Sequence, residues 1–81
     1  MKTLTITEYL TASAIQAAGA RFLRADPPKD ARGKCALIFD DEGGEASRLL
    51  ASHQRGTLLV PTREFAAAIC MMKNTMFQVR G

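Results

Sequence analysis

The chain has no tryptophan, a single histidine, a single tyrosine and only two cysteines. The cysteines, Cys35 and Cys70, are far apart, with no CxxC pair and no framework spacing. A secreted domain of this size ordinarily carries several bridges or a structural metal. Long hydrophobic runs are missing as well: the apolar stretch Phe65 to Met72 is too short to span a bilayer. Met1-Lys2-Thr3 leads into a polar-flecked segment without the continuous apolar core of a signal peptide. These absences set the expectation of a cytoplasmic protein with reduced thiols and no membrane partner.

What is present describes a small folded unit. The 81 residues suit one domain, 1–81, and 47% hydrophobic with 23% charged residues excludes a disordered composition. A chain this short buries only about 60–65% of the surface its unfolded form exposes. A homodimer that hides more apolar surface is therefore physically favourable. The net charge of +3 is mild, and its distribution says more than its total. Arg21, Arg24, Lys29, Arg32 and Lys34 stand against Asp26 and Asp30, whereas Asp40, Asp41, Glu42 and Glu45 form an acidic block with no base.

Periodicity and punctuation predict the order α-β-β-α-(β)-α, an α+β fold with an antiparallel hairpin packed against helices. Thr5-Ile6-Thr7-Glu8 has the form of a capping box, so the first helix is expected over residues 5–18, ending at Gly19. Ile6, Leu10, Ala14 and Ala17/Ala18 would then form its buried stripe. Ala20 to Ala25 reads as a strand closed by Pro27-Pro28, and Lys34 to Phe39 as a second, more apolar strand. A short helix over 45–54 stops at Gly56. Thr57 to Val60 is an extended link or third strand, cut by Pro61. A last helix over 62–76 carries the regular seam Phe65, Ile69, Met72, Met76 and Val79.

Three segments together resemble a family of short bacterial and phage proteins classed as a domain of unknown function. They are Thr7-Glu8-Tyr9-Leu10 through Gly19, Leu37-Ile38-Phe39-Asp40-Asp41, and Val60-Pro61-Thr62-Arg63-Glu64-Phe65-Ala66. The resemblance covers nearly the whole chain and implies a shared fold; it brings no activity, substrate or cofactor with it.

No candidate group announces chemistry. Asp40-Asp41-Glu42 lacks the Asp-x-Asp-x-Asp-Gly spacing of a calcium loop, and acids there end a strand and suit a helix N-terminus. His53 would need a nucleophile and an orienting partner, yet Ser13, Ser47 and Ser52 lie in no Gly-x-Ser-x-Gly context. Cys35 falls on the apolar strand and Cys70 beside the helix seam, positions that suit small structural residues. No catalytic residue, metal ligand, cofactor or small-molecule substrate is expected.

Two surfaces hold the remaining interest. Met72 and Met76 belong to the seam of the last helix, whereas Met71 and Phe77 fall off it and would leave an apolar patch for a second copy. The bases Arg21, Arg24, Lys29, Arg32 and Lys34 can follow phosphates, although no aromatic is interleaved for stacking. A charged edge that discourages strand pairing explains the same residues. The expectation is thus a non-enzymatic binding module that self-associates, with a nucleic-acid-binding accessory protein as the alternative.

Overall fold

The structure, a computed structural model, describes residues 2–28 and 33–80. Six elements follow one another: β1 (Thr3–Ile6), α1 (Tyr9–Ala17), β2 (Phe22–Asp26), β3 (Ala36–Asp40), α2 (Glu45–Arg55) and α3 (Thr62–Arg80). The three strands form one antiparallel sheet in the order β1-β3-β2. The fold is α+β, and the hairpin of β2 and β3 stands as the sequence suggested.

The first helix does not begin at Thr5. Thr3-Leu4-Thr5-Ile6 is a strand, paired with β3 from Thr3 opposite Asp40 to Ile6 opposite Leu37. Leu4 and Ile6 alternate with threonines, which puts both on one face of a strand; on a helix they would point nearly opposite ways. Both pack on the core. Glu8, not Thr5, caps α1: its carboxylate accepts from the Leu10 amide at 3.2 Å. The stripe moves with the boundary. Ala12, Ser13, Ala14 and Ile15 are buried, Ala17 and Ala18 are half-buried, and Leu10 is 44% exposed.

Gly19 ends α1 at φ 116°, where its amide donates to the Gln16 carbonyl and the Ala20 amide to that of Ile15. This paired closure needs a left-handed residue, and glycine adopts that backbone without steric cost. α2 runs one residue past its expected end, and α3 continues beyond Thr75 to Arg80. Thr57 to Val60 is not a strand; Leu58 packs on the core and Leu59 is 91% exposed. The third strand comes instead from the N-terminal segment.

Leu37 and Phe39 of the central strand lie at the middle of the core with Ile15, Ala46 and Met72, all without solvent exposure. Phe22, opposite Phe39 in the register, meets it edge to face with ring centroids 5.4 Å apart. α1 touches both other helices, and it lies against β1 while α3 lies against β2. The helical layer therefore runs α2-α1-α3 across the sheet order β1-β3-β2. The seam of α3 is observed as expected, with Met72 buried and Phe65, Ile69, Met76 and Val79 half-buried. Among the described residues, no helix is long and apolar enough to cross a membrane.

Candidate functional site

Where β1 hands over to α1, the chain leaves the sheet through Thr7 and Glu8, and Tyr9 opens the helix. Lys34 and Cys35 enter β3 beside them, and the last turns of α3 bring Met76 and Phe77 over the gap. The result is a mainly apolar cleft of about 400 Å³. Cys35 is buried at 1% exposure, whereas Phe77 stands 79% exposed at the lip. Lys73, one turn before Phe77, places its ammonium 5.4 Å from the centroid of the Tyr9 ring, a cation–π contact. The lining thus includes one acid, Glu8, and one base, Lys34, and Lys73 adds a second base beside Tyr9.

Met71, the other residue expected at a self-association surface, is not on this cleft. It is 38% exposed and lines a second hollow of about 290 Å³ with Gln16, Ala17, Glu64, Ala67 and Ala68. There the Gln16 amide nitrogen lies 3.4 Å from the Met71 sulfur. Met71 and Phe77 are six positions apart, which turns them about 120° apart around a helix. The structure divides them between two faces.

The basic residues are divided as well. Arg21 is exposed and shares a hollow with Asp40, Glu42 and Glu45, so its charge is offset by neighbouring acids. Arg24 is paired with Asp26 at 3.2 Å. Lys34 lies on the cleft with Phe77, six residues along the chain from Asp40, whose amide bonds to Arg21. Lys29 and Arg32 lie outside the described residues. Arg21 and Arg24 are thus exposed neighbours at β2, and Lys34 lies apart from them.

The acids beside β3 hold the fold at the sheet's end. Asp41, 2% exposed, accepts from both the amide and the hydroxyl of Ser47 in the first turn of α2. The Ser47 hydroxyl first, then the Ser47 amide and the Lys2 charge, hold the Asp41 carboxyl below its ordinary value against the opposing effect of burial. Asp40 accepts from the Glu42 amide at 3.0 Å, and Glu42 accepts from the Lys2 amide at 2.8 Å. No group of three or more candidate metal ligands gathers among the described residues.

His53 lies at the other end of α2, about 12 Å of helix away from Glu45, with Thr11 Oγ1 3.4 Å from its Nε2. Ser13 donates instead to the Tyr9 carbonyl at 2.7 Å, Ser47 to Asp41, and Ser52 accepts from Arg55 at 3.5 Å. The histidine and the acids do not converge. Cys35 is buried as expected; Cys70 is exposed, because it lies off the seam residues Ile69 and Met72.

No family model, curated protein or solved structure matches the chain. Tyr9, Cys35 and Met76 were not singled out for a common site by sequence, since three distant segments build the cleft. Only the off-seam position of Phe77 pointed to it.

Proposed function

We propose that this chain is a non-enzymatic binding module, cytoplasmic and of bacterial or phage kind, that associates with a second copy of itself through Phe77 and the adjoining cleft. The observation that carries this reading is a phenylalanine left 79% exposed on the lip of an apolar cleft. Fully burying such a side chain is worth about 1.5–3 kcal/mol, so an uncovered one favours association.

The same patch holds both a projection and a recess, which an isologous contact requires, because each copy must supply what the other receives. Its lining includes charges of both signs, Glu8 and Lys34. A two-fold rotation can set Glu8 of one copy against the partner's Lys34 and relate the second pair by symmetry. A rim of one sign would repel its own image.

Sedimentation equilibrium on the wild type and on Phe77→Ser tests the reading. The wild type is expected to self-associate and the variant to do so more weakly, with far-UV circular dichroism unchanged. A wild type that stays a single chain at high micromolar concentration would overturn it.

A further inference from the structure

The charges around the cleft are unequal once their own partners are counted. Glu8 is engaged within the fold: it caps α1, accepting from the Leu10 amide at the positive end of that helix. Lys34 lines the same recess and is exposed. Lys73, also exposed, stands over the Tyr9 ring. Among the described residues, neither ammonium lies within ion-pair distance of a carboxylate. Two uncompensated bases therefore face one acid whose charge the helix already meets.

The recess beside these ammonium groups is apolar. Buried Cys35 and half-buried Met76 and Tyr9 line it together with the exposed Phe77 ring. Its volume of about 400 Å³ falls within the range of small-molecule sites, about 300–1,000 Å³. Such sites combine an apolar body with a few polar groups that fix orientation, and here Lys34 and the Thr7 hydroxyl supply them. The other two hollows lack this combination. Glu64 is the charged residue of the one at Met71, and three acids surround Arg21 in the other.

We infer that the cleft binds an amphipathic anion, a small molecule with an apolar body and a single terminal carboxylate. The body replaces water on Cys35, Met76 and the Phe77 ring, where burial of apolar surface drives binding. The carboxylate stays at the rim, near Lys34 and Lys73. A cationic head on the same tail would face two ammonium groups and the positive end of α1. This site does not rest on the self-association reading, because the recess and its lysines belong to one chain. The two compete for one space: a seated ligand excludes the partner's Phe77, so the anion shifts an assembled protein toward single chains.

Decanoate and decyltrimethylammonium, which carry near-identical tails and opposite heads, test the site. Each is titrated below its micellar concentration into the wild type and into Phe77→Ser, with the Cys35 amide and Met76 methyl resonances as the readout. Decanoate is expected to shift both resonances saturably, and to bind the wild type about fivefold or more tightly than the ammonium probe at low salt. Added sodium chloride should shrink that ratio toward one. Lys34→Glu with Lys73→Glu should reverse the order of the probes; both side chains are exposed, and the salt titration of the wild type serves in its place if the variant does not fold. Equal affinity for the two probes, or an order that charge reversal leaves unchanged, would overturn the site. A wild type that self-associates while neither protein shows a saturable shift loses the ligand site alone. One that binds decanoate yet stays a single chain at every concentration keeps the site and loses the self-association reading.

Discussion

Asp41 shows how a single side chain that reads as one member of an acidic run acquires a particular task. Its carboxylate closes the first turn of α2 through Ser47, and that hydrogen bonding holds its pKa below the ordinary value. A depressed carboxylate stabilises the fold fully above its unfolded pKa, near about 3.9, and the contribution disappears as pH falls through the lower folded value. Asp41→Asn should therefore lower the melting temperature at neutral pH and flatten the loss of stability below about pH 4, as thermal melts across pH would record. Sequence showed the acids ending a strand before a helix. It could not show that Asp41, rather than Asp40 or Glu42, reaches Ser47, since that depends on the turn at Gly43-Gly44.

Glycine offers a second test at this scale. Gly44 and Gly56 sit at φ 75° and 76° at the two ends of α2, and an added Cβ at either would meet no atom within 4 Å. The cost of alanine there is backbone alone, about 1–2 kcal/mol each. Gly43 has the same open surroundings without a positive φ, so Gly43→Ala should be neutral or slightly stabilising. Denaturant melts of the three variants would separate them; equal effects at Gly43 and Gly44 would contradict the assignment.

At the level of elements, the N-terminal segment is where local and global signals competed. Thr5 and Glu8 stand at capping-box spacing, yet Leu4 and Ile6 must both reach the core, and only a strand puts them on one side. Tertiary burial decided the matter. A helix over residues 5–18 would make Ile6 and Leu10 neighbours on one buried stripe, whereas the structure buries Ile6 to 6% and leaves Leu10 44% exposed. Ile6→Ala should thus cost about 2–5 kcal/mol, and Leu10→Ala less than half as much. Comparable losses in urea melts would restore the helical stripe. The hairpin and α3 were legible because their patterns are long or sharply punctuated. The link at Thr57–Val60 was not, as an apolar run of that length suits a strand, a turn or a core-packed loop equally.

For the whole molecule, the helices cover one face of a three-stranded sheet. Phe77 lies outside the α3 seam, which is why periodicity alone could nominate it. The cleft beside it was hidden because Thr7-Glu8-Tyr9, Lys34-Cys35 and Met76 are brought together only by the sheet register and the antiparallel run of α1 and α3. Met71, nominated by the same periodicity, faces a different hollow. Of the described basic residues, Arg24 pairs with Asp26, Arg21 shares a hollow with Asp40, Glu42 and Glu45, and Lys34 lies on the cleft. The central claim is self-association through Phe77, and sedimentation equilibrium of the wild type beside Phe77→Ser examines it most directly. The account predicts a wild-type mass at or above twice the 8.8 kDa chain and a lower mass for the variant at equal concentration; identical masses for the two proteins would contradict it.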